Sequence, residues 1–593
     1  MLALASLSLG AVPRAEYPRP QFERQDWQNL NGEWTYDFDF GKSGMNRQLY
    51  NSTGFDNKIT VPFCPESVLS GVQHTDFIPA MWYHRTIQIP QAWEGKSILL
   101  NFGGVDFFTA VYVDGNLVGR HWGGSSPFTC DITKIVSDGK THNLVVRVED
   151  DLRSGTQPTG KQCGNYYSEG CHYTRTTGIW QTVWMEPVDH LGLKSAYIVP
   201  DLDNSQFIVN PEFRNLEKGQ TVEVIIKDGN KVVATAKQAT SPVLSLPIKV
   251  KNVKTWSPED PFLYDVELNV YNAAGTRVDH VASYAGMRKI HVEGNTYYLN
   301  NKPYYLRLVL DQGFYPDGIW TAPSDEALRH DIELSKAAGF NGARLHQKVF
   351  EERFHYWADK LGYLTWGEAP SWGGNMNNQI TARNFIPEWE TIVVRDRNHP
   401  SIVAWTPFNE TWERPDNDEA ALQHDRFIED VYRVTHNLDY RPINDASGNY
   451  HVITDLYTVH SYEQDPARLA DWFVVKEDGK YPCQDPRRDV PYAGQPFFID
   501  EFGGIKWVVG DQFSQISWGY GQGPKTEEEF YTRLEGLVDA INAVPYMSGY
   551  CYTQLTDVEQ EQNGVYNYNR TTKFDMDRIK AIFSKVPERF KTK

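Results

Sequence analysis

Cysteine is scarce. The chain has six in 593 residues (Cys64, Cys130, Cys163, Cys171, Cys483 and Cys551) and no CxxC spacing, which argues against a zinc ribbon or a disulfide scaffold. Cys163 and Cys171 are close enough in sequence to pair, although nothing requires it; the others read as buried thiols. No run of 18 apolar residues occurs, so no membrane span is expected. Positive charge is in deficit, with Lys+Arg 58 against Asp+Glu 77 and a net charge of −19. A surface that acidic repels nucleic-acid phosphates and anionic headgroups, which disfavours nucleic acid and membrane as partners. Nor is there the compositional bias of a disordered or fibrous chain, since 40% of residues are hydrophobic and 23% charged. At roughly 100–200 residues per domain, about three to four domains are expected.

Aromatics are plentiful, 13% of the chain with 18 Trp and 33 Tyr. That suits a neutral, hydroxyl-rich ligand whose apolar ring faces pack on flat side chains, and equally a large aromatic core. The apolar start, Met1 to Val12, resembles a secretory signal without its basic n-region; residues 1–19 read as a leader or extension. Asn51-Ser-Thr and Asn569-Arg-Thr are glycosylation sequons. Secreted or periplasmic placement follows if the start is a signal remnant, cytoplasmic placement otherwise.

Three textures divide the chain. Residues 1–186 carry short β-rich runs broken by Gly, Pro and Asn, with Asp114-Gly115 as a hairpin signal, and predict a jelly-roll β-sandwich. Residues 187–288 alternate polar and apolar over about a hundred residues, which fits an immunoglobulin-like sandwich. From 289 to 593 strands alternate with helices, as in a (β/α)₈ TIM barrel. Strands are expected at 304–310, 342–346, 363–367, 402–409, 441–445, 456–461, 497–501 and 548–554, and helices at 325–338, 350–360, 389–397, 419–435 and 527–542. Barrel chemistry sits at the C-terminal strand ends, where Glu410 follows the fourth strand and Glu501 ends the seventh. Two opposed carboxylates are what glycosidic cleavage needs: one protonates the leaving oxygen, the other attacks an oxocarbenium-like centre.

Asn409-Glu410 after an apolar strand, together with Glu501-Phe-Gly-Gly504, resembles glycoside hydrolase family 2, the β-galactosidase/β-glucuronidase family. Asn29-Leu-Asn-Gly-Glu-Trp34, Val105-Asp106, Val113-Asp-Gly115, Thr177-Gly-Ile-Trp-Gln181, Trp256-Ser-Pro-Glu259 and Asn341-Gly-Ala-Arg344 match its signatures in order, so the resemblance spans nearly the whole chain. It implies Glu410 as general acid/base, Glu501 as nucleophile and Asn409 as the contact to the sugar 2-hydroxyl. Glu410 must then be protonated near neutral pH, aided by the charge of Glu501. Arg344 is a candidate counter-charge for Glu501, or a structural ion pair.

Further candidates at strand ends are Asp311 and Gln312, His346 and Gln347, His460 and Tyr462, and Tyr552 with Gln554. Trp507 could be an aromatic platform or loop packing, and the loop of His121 and Trp122 could complete the pocket from the sandwich. The family's uronate-reading Asn-x-Lys is missing: Asn563-Gly-Val-Tyr-Asn-Tyr-Asn569 has no lysine at that spacing, and the nearest basic residues are Arg570 and Lys573. Glu368-Ala-Pro-Ser-Trp372 lacks the histidine that would signal a magnesium site, and no HxH or HExxH occurs, so no cofactor or metal is expected. The reading is a retaining exo-hydrolase of neutral β-linked sugars, β-galactosidase-like. Arabinosidase, β-mannosidase or uronidase activity and a non-catalytic carbohydrate-binding protein are the alternatives. The partner is a carbohydrate, and a homo-oligomer is left open.

Overall fold

Alternation decides which way each strand of the first domain faces. In the strands Ala80–Gln88 and Thr141–Glu149, Met81, Tyr83, Leu144, Val146 and Val148 point into one core, while Trp82 and Val145 point to the opposite face. The computed structural model describes residues 12–509 and 516–591; the expected leader at 1–19 lies largely outside them. A four-stranded and a six-stranded antiparallel sheet enclose the core between them, a jelly-roll-like sandwich. Residues 193–285 form a second sandwich of three and four strands, with Val222, Val224 and Ile226 buried on one face of their strand. All six cysteines are free, Cys163 and Cys171 included.

The barrel strands are β1 Leu306–Asp311, β2 Gly342–Leu345, β3 Leu364–Glu368, β4 Ile402–Thr406, β5 Ala446–Ser447, β6 Tyr457–Ser461, β7 Phe497–Gly503 and β8 Met547–Thr553. Seven are joined in one parallel sheet, and Phe408–Asn409, continuing β4, pairs with β5. Around them run α1 Asp325–Ala337, α2 Glu352–Leu361, α3 Gln379–Asp396, α4 Asp418–Leu438, α5 Pro466–Trp472, α6 Glu527–Asn542 and α7 Met576–Phe583. Side chains that cap orphan amides start most of them, among them Ser324, Asn378, Asn417 and Thr526.

Two expectations need correction. The strand expected at 441–445 reduces to a bridge at Ile443 before the two-residue β5. Side chains have taken over the backbone's partners there: Asp455 accepts from Ile443 N, and Asp445 accepts from the amides of Ala446, Val452 and Ile453. The helix expected from 389 begins ten residues earlier, behind the Asn378 cap, and runs through Pro387.

Small-sheet residues Ile290, Tyr297 and Leu299 close the barrel floor against Leu306, Leu308, Trp366 and Phe498. Trp256, fully buried, joins the second sandwich to the barrel by donating from Nε1 to Asp359 O at 2.8 Å. Trp256→Ala should cost about 3–5 kcal/mol and Trp256→Phe, which keeps a ring and loses the donor, about 1–3 kcal/mol. Thermal unfolding of the two variants checks the ranking; equal effects would remove the packing argument.

Candidate active site

Strand parity sets the floor of the site. On β2, Ala343 and Leu345 pack outward against the helices, so Arg344 and His346 point into the barrel. On β7, Phe498 points inward and Phe497, Ile499 and Phe502 outward. Plain alternation would turn Asp500 inward and Glu501 away. A register irregularity between Ile499 and Phe502 adds the residue that lets both acids face the barrel axis.

Arg344 is fully buried and holds this floor together. Its Nε donates to Glu368 Oε2 (2.6 Å), Nη1 to Glu501 Oε1 (3.0 Å) and Asp500 O (3.1 Å), and Nη2 to Asn409 Oδ1 (2.6 Å) and Glu368 Oε1 (3.3 Å). His346 Nδ1 lies 3.0 Å from Glu368 Oε1; burial and the neighbouring cations keep that imidazole neutral, its pKa well below the ordinary value. Tyr462 OH donates to Glu501 Oε2, with its ring stacked on Tyr520. Burial alone would raise the Glu501 pKa, but His460 and Arg344 outweigh it and hold the carboxyl down to about 2.

Glu410 is half-buried, in the left-handed region at φ 45° just past β4, a conformation that costs energy and recurs at functional positions. Its Oε1 lies 2.8 Å from His460 Nδ1, and the same nitrogen is 3.4 Å from Glu501 Oε2. Oxygens of Glu410 and Glu501 and a ring nitrogen of His460 all lie within 4.8 Å of one another. That trio could converge on a cation, but its atoms already have partners in Arg344, Tyr462 and each other. His460 Nε2 reaches Ser447 Oγ at 2.9 Å and Asp500 Oδ1 at 3.4 Å. Although burial opposes its charge, Glu501, Asp500 and Glu410 raise the His460 pKa. Asn409 gives its oxygen to Arg344, and its buried Nδ2 has no protein partner. A cavity of about 220 Å³ opens beside Glu410, with Trp372, His172 and Met376 among its walls.

Other candidates lie elsewhere. Leu306, Leu308 and Leu310 point inward on β1, so Asp311 faces the helix layer, where burial and Asp331 push its pKa up to about 7. By the same parity Tyr552 packs outward on Phe502 and Phe583, and Thr553 takes the inner place, 3.1 Å from Tyr462 OH. Trp507 packs against Phe530 and Phe574; it is loop packing, not a platform. His121 stacks on Phe128 beside Ser126, and half-exposed Trp122 lies on Phe108. Their loop does reach the barrel, yet it docks on α3, with Ser125 N donating to Glu388. Gln312 Nε2 donates to Gln554, Gln554 Nε2 to Asn563, and Asn563 Nδ2 to Glu561, so this chain of amides backs a carboxylate instead of facing a sugar. Gln347 braces the loop after β3, binding Ser371 Oγ and Trp372 N.

Sequence reasoning missed Glu368, Asp500, Trp372, Lys161 and Glu561. The first two adjoin quoted motifs and were findable as inward-facing acids at strand ends. Lys161 lies nearly 250 residues before Glu410 in another domain, and no local signal connects them.

Three family models match the chain in succession: the sugar binding domain of glycosyl hydrolases family 2 over residues 27–184, a further glycosyl hydrolases family 2 model over 192–288, and that family's TIM barrel domain over 290–493. Among curated relatives, a beta-glucuronidase of Paenibacillus borealis is 22% identical over 96% of this chain and 99% of its own length. A beta-galactosidase of Thermoanaerobacter pseudethanolicus is 27% identical over 61% of this chain, and a putative beta-glucuronidase of Formosa agariphila 26% identical over 85%. The chain spans only 48% and 60% of the length of those two. A solved β-glucuronidase of Ruminococcus gnavus in complex with D-glucuronic acid superposes with a TM-score of 0.77 at 20% identity, covering 96% of this chain and 100% of that one; at such identity it shows the fold.

Arg344→Lys keeps one charge but loses the fork that spans Glu501, Glu368 and Asn409. Its partners' hold on Glu501 weakens, so the depressed pKa rises and the acid limb of kcat/KM moves up by about 1 pH unit or more, with at least about a 100-fold loss at the optimum. A pH profile of kcat/KM measures both; an unmoved acid limb would separate Arg344 from the ionisation of Glu501.

Proposed function

The chain belongs to glycoside hydrolase family 2, and we propose that within it this protein is a retaining exo-β-glycosidase of neutral sugars, of the β-galactosidase type. One observation carries the mechanism: oxygens of Glu410 and Glu501 lie within 4.8 Å of each other. Retaining enzymes hold their carboxyl groups about 5–5.5 Å apart, whereas inversion needs roughly 6.5–9.5 Å to admit the attacking water.

In the first half-reaction Glu501 attacks the anomeric carbon while Glu410 gives its proton to the glycosidic oxygen, and the C–O bond to the aglycone breaks. In the second, Glu410 takes a proton from water as that water attacks the same carbon, and the Glu501–sugar bond breaks with its electron pair returning to the carboxylate. The free Nδ2 of Asn409 suits the sugar 2-hydroxyl, a contact that strengthens in the transition state.

Neutrality of the sugar is supported by where the basic residues after β8 have gone. Arg570 is spent on Asp331 and on Phe314 O, and Lys573 on Asp557 at 2.8 and 3.0 Å. Neither can meet a uronate, and a buried unpaired carboxylate would be costly. The second reading, a β-glucuronidase, is favoured by the names of several relatives and by one buried cation from the sandwich, Lys161.

Comparing kcat/KM for an aryl β-galactoside and the matched β-glucuronide decides between them; a higher value for the uronide overturns the neutral reading. Glu501→Gln should remove turnover by roughly four orders of magnitude or more with the fold intact, and substantial residual activity would move the nucleophile elsewhere. Glu410→Ala should lose about 10²–10⁴-fold on substrates with poor leaving groups and far less on dinitrophenyl glycosides. Equal losses on both would contradict the acid role.

A further inference from the structure

The sandwich contributes a cation to the barrel mouth. Thr159 N donates to Trp372 O at 2.7 Å and Gly160 N to Pro370 O at 3.1 Å. Gly160, at φ 58°, leaves no room for a Cβ, which would meet Gln347 O at 2.2 Å. This clamp presents the next residue, Lys161, only 6% exposed, with Nζ 5.4 Å from the Trp372 ring and 6.0 Å from the Tyr173 ring. Trp372 lines the cavity beside Glu410 and donates from Nε1 to Asn409 O. Tyr173 OH donates to Glu561, which the segment after β8 carries.

Donor and acceptor accounts at this spot do not close within the protein. An ammonium has three N–H donors, and among the described residues Lys161 Nζ makes no hydrogen bond and no ion pair within 4 Å. Glu561 accepts one bond on each oxygen, from Tyr173 OH and from Asn563 Nδ2 at 3.0 Å, so two of the roughly four lone-pair positions of a carboxylate stay open. Both groups approach Tyr173 without forming an ion pair with each other, so a hydroxyl that accepts from the ammonium and donates to the carboxyl would complete both accounts.

We propose that Lys161 and Glu561 form a specificity pair that grips one hydroxyl of the glycone remote from its anomeric carbon, so that the sugar is read across the boundary between sandwich and barrel. The pair is retained in charged form on the lysine side: burial works against the ammonium, but Cys171, Glu561, Glu501 and Glu410 raise its pKa. A carboxylate in the same place would meet Glu561 as a like charge. The assignment rests on the glycosidase reading above and names how that site selects its sugar.

Its test uses the full chain and the aryl β-glycoside that the wild type cleaves fastest, with the 3-, 4- and 6-deoxy analogues of that glycoside. Lys161→Met should lower kcat/KM on the intact glycoside about 10- to 100-fold, the range of a hydrogen bond to a charged group, and no more than about 3-fold on the one analogue that lacks the gripped hydroxyl. Glu561→Gln should show the same positional pattern, and supplies the test from the barrel side should Lys161→Met fail to fold. Uniform losses on all analogues, or no loss on the intact glycoside, overturn the proposal. So does a wild type that prefers a uronide and a Lys161→Met variant that loses activity on the uronide alone, since Lys161 would then read a carboxylate. A wild type that prefers a uronide while the deoxy pattern holds on that substrate overturns only the neutral-sugar reading, which keeps the two failures apart.

Discussion

Everything at the barrel mouth depends on one buried guanidinium. Arg344 comes from β2 and its partners from β3, β4 and β7: Glu368, Asn409, Asp500 and Glu501. A cation with no solvent exposure survives only if its donors are met, and here the groups that meet them include Glu501 and Asn409, two of the groups assigned roles in the proposed reaction. The arrangement ties the C-terminal ends of four strands to a single planar fork, fixes which atom of Asn409 is left free, and keeps Glu501 ionised. Positioning and electrostatics at this site are therefore one property and cannot be altered separately.

The acids were legible because family motifs and strand-end logic converge on the same two positions. Fold class was legible for a related reason: alternating strands, then alternating strand and helix, leave different periodicities in the sequence. What could not be read was facing. Asp311 and Tyr552 stand at strand ends as plausibly as Arg344 does, and only parity against the buried leucines of β1 and Cys551 of β8 turns them away from the axis. Glu501 would fail that same parity test without the irregularity in β7, which no residue in Phe497–Glu501 announces. The strand expected at 441–445 misled differently, since its backbone is satisfied by Asp445 and Asp455 side chains in place of a ladder.

Long-range partners were beyond reach for a simpler reason. Tyr173 reaches Glu561, with Lys161 close by, because the sandwich segment 159–174 is laced to barrel loops by Thr159, Gly160, Tyr173 and Thr174, the last donating from its amide to Glu559. Gln560 Nε2 in turn donates to Gly170 O and His172 O. Spacing along the chain carries no trace of such a seam. The seam also explains why a sandwich resembling a sugar-binding module stays attached to a catalytic barrel. It walls the cavity with His172 and presents Lys161, so the first domain is part of the pocket's surface.

The different tasks proposed for the two carboxylates follow from their surroundings more than from their positions in sequence. Glu501 is enclosed, and its oxygens are taken by Arg344 and Tyr462, fixed donors that favour the anion throughout. Glu410 sits half-buried on a left-handed backbone, opens on the cavity, and touches one titratable partner, His460. Double displacement asks one carboxyl to stay a nucleophile and the other to lose and regain a proton in each cycle. A group locked between permanent donors can do only the first. A group with access to substrate and water, beside an imidazole that is shared with Glu501 and Asp500, can do the second. His460 links the two, because one ring nitrogen lies 2.8 Å from Glu410 Oε1 and 3.4 Å from Glu501 Oε2, so a change of charge on either carboxyl is felt by the same imidazole.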